Sequence, residues 1–323
     1  MRKFLLFSLF AMLSTIAVAQ QEAQYTQFFY NKLGYNPAYA GSLDAICATV
    51  ITRSQWLGLD GAPESQVFNI DAALPNNRIG VGLNIARNTI GISTNYNADL
   101  SYAYRIPLGK GNIGVGLQGS IRSFNADYND ERLVATQGVV TDASIPVGLQ
   151  NKLTPNFGAG VYYKEEKLYI GFSVPRLLEN NIDFAEEATI ISESIRHFYL
   201  MGGYVFDVND RVQIQPQALV KHVENAPLDV DLNVNAIFVD KYMVGASYRI
   251  GGSSRGIPAE SIDILFSAQV NKNLLFGIAY DVTVSEVRDF SSGSIEAMVR
   301  YCFKHKKSDE ESVEGDYLNP RFF

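Results

Sequence analysis

Few side chains in this chain of 323 residues stand at spacings that do chemistry. The three histidines, His197, His222 and His305, lie far apart, and none has ligand spacing to a cysteine or to another histidine. A metal site is therefore not expected. Asp229 and Asp231 fall on one face of a strand, as a carboxylate pair for acid–base work would. With both pointing into an interior, a structural role or a weak attraction for cations is the simpler reading. There is no Gly-x-Ser-x-Gly elbow, no phosphate-binding glycine loop and no His-Glu-x-x-His. The sequence assigns no catalytic residue, no metal and no cofactor, and it does not read as an enzyme. Two cysteines remain, Cys47 and Cys302, and whether they can meet depends on the fold.

The elements that would position them are written in period two. Leu228, Val230, Leu232, Val234, Ala236 and Phe238 alternate with Asp229, Asp231, Asn233 and Asn235. Ile262, Ile264, Phe266, Ala268 and Val270 are set against Asp263, Ser267 and Gln269, and Leu274 to Val284 repeats the pattern. Soluble sandwiches alternate too, but their strands average about 5–6 residues. Many runs here reach about 10, the length a tilted strand needs to cross a bilayer. The polar half of the pattern is Asp, Asn, Gln, Ser and Thr, which suits a wet lumen better than a packed core. A charged fraction of only 19%, with 18 Tyr and 19 Phe, suits a surface that faces lipid. Past the first 20 residues no apolar run approaches the roughly 18 residues of a spanning helix. Only helices and closed barrels satisfy their backbone in lipid. The net charge of −7, with no basic face, argues against nucleic acid as a partner.

The expected fold is all-β, a transmembrane outer-membrane antiparallel β-barrel of about 14 strands. The strands are expected at 45–56, 64–74, 78–88, 94–106, 112–125, 155–164 and 167–175, then 195–206, 210–223, 227–239, 241–250, 259–271, 273–284 and 292–304. Gly80, Gly82, Gly114 and Gly116 fall inside strands and read as wall positions with small side chains. Tight turns at 75–77, 109–111, 209–210 and 271–273 mostly follow even-numbered strands, and the two longest connections follow strands five and seven. With both termini in the periplasm, short turns belong on that side and long loops outside. Trp56 ends the first strand and is expected in an interfacial aromatic belt. Barrel closure makes the first and last strands neighbours. Alternation then puts Cys47, with Arg53, and Cys302, with Glu296 and Arg300, on the lumen face. They read either as two unrelated small buried residues or as a seam disulfide, which needs Cα atoms within roughly 7 Å.

The two ends differ from the barrel. Residues 1–19 read as a signal peptide, with Arg2 and Lys3 before an apolar core and cleavage expected between Ala19 and Gln20. Residues 20–44 form an arm, 45–304 the barrel and 305–323 a charged tail. The arm's centre, QYTQFFYNKLGYNPAYAGS, carries Tyr25, Phe28, Phe29, Tyr30, Tyr35 and Tyr39. Gly34, Asn36-Pro37 and Gly41 break any regular period, so it is neither an ordinary helix nor a strand. Rings with polar tips suit packing on the domain behind, plugging a barrel mouth or docking a partner.

That stretch resembles the opening motif of the PorP/SprF family, membrane proteins tied to the type IX secretion system of Bacteroidetes. The closing Leu318-Asn319-Pro320-Arg321-Phe322-Phe323 is similar to the family's end. The resemblance implies a barrel in outer-membrane lipid that serves protein secretion. In gliding relatives it implies export or attachment of large surface adhesins, with a periplasmic peptidoglycan-binding secretion component as partner. Tyr25, Phe28, Phe29, Tyr30, Asn36, Pro37 and Tyr39, with the tip Pro320, Arg321, Phe322 and Phe323, are then expected to form a periplasmic docking face. The alternative is an outer-membrane channel or transporter for small hydrophobic molecules, with the arm as plug or gate.

Overall fold

Strands form where the two-residue alternation is unbroken, because a pleated backbone sends successive side chains to opposite faces. A computed structural model describes residues 22–75, 77–133, 146–184, 193–224, 226–251 and 259–303. The strands are β1 Ile46–Ser54, β2 Glu64–Ala73, β3 Ile79–Ile90, β4 Ser93–Leu108, β5 Gly111–Asp127, β6 Leu149–Lys164 and β7 Leu168–Val174. β8 runs over His197–Tyr204 and continues past Val205 as Phe206–Asn209. β9 Val212–Val223, β10 Asp229–Phe238, β11 Tyr242–Ile250, β12 Ala259–Gln269, β13 Leu274–Thr283 and β14 Ser294–Phe303 complete the set. Each strand pairs antiparallel with its sequence neighbour, and β1 pairs with β14, so the sheet closes into a 14-stranded barrel without an edge.

The two faces are inverted relative to a soluble protein. Leu100, Leu117, Phe157 and Ile264 point outward at 60–66% exposure, a density of open apolar surface that only lipid would cover. Asn69, Asn84, Asp99, Gln215, Asn233 and Asn235 point inward and are buried. Among the described residues no helix is long and apolar enough to cross a membrane.

Thirteen of the expected strands lie where the alternation placed them. β6 begins earlier than expected, at Leu149. Pro155, which has no N–H for the ladder, sits inside β6 opposite Ile121. Connections after even-numbered strands, at 74–78, 109–110, 165–167, 210–211, 239–241 and 270–273, are all short. The connections after β5 and β7 are the long ones. The two rims of the barrel are therefore a short-turn end and a long-loop end.

At the seam Cys47 is the register partner of Cys302, with Cα atoms 4.1 Å apart, and the two sulfurs are joined in a disulfide on the lumen face. The bond ties the first strand to the last across 255 residues of chain. For so long a loop the chain-entropy account gives about 5 kcal/mol. The seam also has a full ladder from Ile46–Phe303 to Ser54–Ile295, so closure does not depend on the sulfurs. A Cys47→Ser/Cys302→Ser protein should still close and insert but unfold at lower temperature. Thermal unfolding scans under non-reducing conditions check this, and an unchanged midpoint would show that the cross-link adds nothing.

Candidate functional site: the occupied lumen

The arm does not hang below the barrel. From Glu22 to Asp44 it passes through the lumen, from the long-loop end to the short-turn end. The expected docking side chains Tyr25, Phe28, Phe29, Tyr30, Asn36, Pro37 and Tyr39 are buried there, the rings at 0–5% exposure. This corrects the expectation of a periplasmic face built from them, because side chains with no exposed surface offer nothing to a partner. The arm is a chain of single turns, Phe28–Tyr30, Lys32–Tyr35 and Pro37–Tyr39, the last opened by Asn36 Oδ1 accepting from Ala38 N–H. Asn36-Pro37 starts this turn because proline fits the first position of a helix.

At the long-loop end Glu22 lies 3.0 Å from Arg122 of β5 and 3.0 Å from Arg176 just beyond β7. Burial alone would raise the Glu22 carboxyl, but the two guanidiniums outweigh it and hold it at about 2. This contribution to stability is complete above the ordinary value of 4.5 and lost as the pH falls towards 2. Gln24 Nε2 donates to Asp229 Oδ2 at 2.8 Å. The Thr26 and Gln27 N–H groups both donate to Glu296, each at 2.9 Å. Arg53 joins Thr26 Oγ1 at 2.7 Å, Asp281 at 2.5 Å and Glu296 at 3.3 Å. Asp231, the inner member of the carboxylate pair, is held by Arg249 at 2.6 Å and Lys221 at 2.8 Å. The pair thus belongs to a network of buried ions.

Midway, Arg300 Nη2 donates to the Tyr30 carbonyl at 2.5 Å, Tyr30 and Ser267 share a hydroxyl bond at 2.8 Å, and Ser173 Oγ donates to the Tyr35 carbonyl at 2.7 Å. Asn31 accepts from Asn69, and Asn36 donates to the Val161 carbonyl. Lys32 is fully buried with its ammonium 3.8 Å from the centroid of the Tyr169 ring, a cation–π contact away from water. At the short-turn end Arg105 and Lys164 donate to the carbonyls of Gly41 and Ser42 at 2.7 and 2.8 Å, and Asp71 accepts from Gly41 N–H.

Wall glycines make the room. A methyl at Gly80 would collide with the Ala40 carbonyl, one at Gly116 with the Ala38 backbone and one at Gly160 with the Asn36 amide. Gly277 faces Gln27 and Gly82 faces Leu33 in the same way. Sequence reasoning saw Gly80, Gly82, Gly114 and Gly116 as small wall positions and missed what they accommodate. It also missed Arg53, Arg105, Arg300 and Glu296 as arm ligands, although polar residues at inward strand positions were the available signal. Ala19, Gln20, His305 and Pro320 to Phe323 lie outside the described residues.

A family model described as type IX secretion system membrane protein PorP/SprF matches residues 17–301. The chain belongs to this family. No curated protein matches it. Among solved structures, the PorP/SprF chain is similar to the CymD monoaromatic hydrocarbon channel, at 11% identity and a TM-score of 0.52, over 85% of this chain and 93% of that one. It is also similar to the Acinetobacter baumannii outer membrane protein Omp33, at 10% identity and a TM-score of 0.47, over 80% of this chain and 99% of that one. The likeness to the CymD channel is one of barrel fold alone.

Substituting Gly116→Val should leave the barrel closed and lift the arm near Ala38 off the wall. Limited proteolysis checks this: the native arm should resist cleavage and the variant should be cut between Tyr35 and Ser42. Equal resistance would show that the glycine does not seat the arm.

Proposed function

We propose that this PorP/SprF chain is a sealed outer-membrane support of the type IX secretion machinery. It holds a periplasmic peptidoglycan-binding component on one side and serves secretion or surface attachment of large adhesins, as in gliding cells, on the other. The observation that carries the reading is the lumen, which the chain fills with its own arm and lines with ion pairs. A barrel occupied in this way suits a fixed anchor better than a conduit. Short turns and tail face the periplasm in this reading and long loops face outside, following the usual asymmetry of such barrels; the arm then begins, at Glu22, on the outer rim, against the expectation of both termini in the periplasm. The reading includes no catalysis, no metal and no cofactor.

With the arm's rings buried, the docking face reduces to the short turns and the tail 305–323, including Pro320 to Phe323. The alternative, transport of small hydrophobic molecules, would want a continuous apolar passage. Buried Asp, Asn, Gln and Arg along the wall do not supply one. Likeness to a hydrocarbon channel at 11% identity is a likeness of fold alone.

A mild-detergent pull-down from envelopes tests the docking. Protein tagged after Lys307 should bring down a periplasmic peptidoglycan-binding protein, and protein cut before Leu318 should lose it while still inserting. A truncated barrel that keeps the partner would remove the tail tip from the interface.

A further inference from the structure

Trp56, the only tryptophan, has a φ of 52°, a left-handed conformation that bulky aromatic residues rarely adopt. Strain of this kind persists only where neighbouring structure enforces it. Here Trp56 N–H donates to Ser294 Oγ at 3.2 Å, Leu57 N–H to the Gly293 carbonyl at 2.7 Å, and Ser292 N–H to the Leu57 carbonyl at 2.8 Å. The loop between β1 and β2 is thereby stitched to the loop before β14. Its far side is tied to the β3–β4 hairpin, since Gly91 N–H donates to the Gly61 carbonyl at 2.8 Å. Arg132, from the connection after β5, closes the set by donating to the Gly91 carbonyl at 2.9 Å while paired with Asp130.

These loops enclose a cleft of about 520 Å³ lined by Trp56, Asp60, Glu64, Arg87 and Arg132. Strand alternation places it on the outer wall of the barrel, outside the lumen. Arg87 shares the outward face of β3 with Ile85, which is 44% exposed, and Glu64 shares the outward face of β2 with Phe68. Two residues of strand span about 7 Å. The cleft therefore opens immediately beyond the lipid-facing belt at the long-loop end. Its rim carries Leu59 and Ile90, apolar and exposed at 41% and 53%.

An indole, with the guanidiniums of Arg87 and Arg132 set among the carboxylates of Asp60, Glu64 and the Asp130 that pairs with Arg132, does not select a simple anion. These groups suit a ligand that has flat C–H faces for the ring and many hydroxyls or amides for donors and acceptors of both kinds. That is the chemistry of a sugar. An apolar rim level with the lipid belt adds a place for hydrocarbon to enter the same ligand. We propose that this cleft binds the saccharide head group of a glycolipid in the outer leaflet. The proposal rests on the orientation given above, with long loops outside.

Native mass spectrometry of the full chain tests it, in detergent supplemented with rough-type lipopolysaccharide and with phosphatidylglycerol as competitor. The native protein should retain one glycolipid against excess phosphatidylglycerol, and Trp56 emission should shift as it binds. Arg87→Ala/Arg132→Ala and Trp56→Ala proteins should retain at least tenfold less while keeping the heat-modifiable migration of a closed barrel. Equal retention by these variants, or equal displacement by phosphatidylglycerol, overturns the site. Orientation is read separately, by labelling an Asn129→Cys protein on intact cells with a membrane-impermeant maleimide. Binding without labelling would overturn the outer-leaflet assignment and leave a saccharide site on the other face.

Discussion

An irregular segment inside a barrel has no strand beside it, so each peptide group it buries and does not pair within its own single turns must find a partner on the wall. That constraint organises the interior. Glu296 takes the N–H groups of Thr26 and Gln27, and Asp71 takes that of Gly41. Arg300, Ser173, Arg105 and Lys164 supply donors for the carbonyls of Tyr30, Tyr35, Gly41 and Ser42. An unpaired peptide group in their place would cost on the order of 1–3 kcal/mol. Fixing the arm's backbone costs about 1–2 kcal/mol per residue. Each fully buried Phe or Tyr ring returns about 1.5–3 kcal/mol, which accounts for the arm's density of rings.

The polar alternation of the strands follows from the same constraint. A lumen that held only water would need no particular pattern of Asn, Arg and Glu. This one places charges where arm groups meet them, and compensates charge against charge where they do not, as around Arg249 and Asp231. Removing one member of such a buried set leaves an uncompensated charge, at a cost of about 3–5 kcal/mol. The wall is therefore specific for its occupant, and the occupant holds opposite sides of the wall together: Glu22 reaches Arg122 of β5, and Thr26 reaches Glu296 of β14.

Much of the barrel was legible in the sequence because alternation is a local signal. β10, with Asp229 to Asn235 set against Val230 to Val234, shows its two faces within a few residues. The early start of β6 was not legible, since Pro155 sits in its interior opposite Ile121 and a residue without a ladder donor is more often at a boundary. The seam pairing of Cys47 with Cys302 was legible only once closure was assumed, since no local pattern joins residues 255 apart. The arm's location was not legible. Its rings suit a plug, a docking surface or a collapsed arm equally, and the wall residues that decide among these lie as far away as Arg300. Nor does a glycine beside a valine, such as Gly80 or Gly116, announce whether its space faces lipid, water or a passing backbone.

The central claim is that the arm seals the barrel. Conductance across planar lipid bilayers tests it most directly, comparing the full chain with a protein lacking residues 22–42. The account predicts that inserted full-length barrels pass no steady current and that the shortened ones open a stable aqueous pore. Equal conductance from the two would contradict it, because the lumen would then be open with its arm in place.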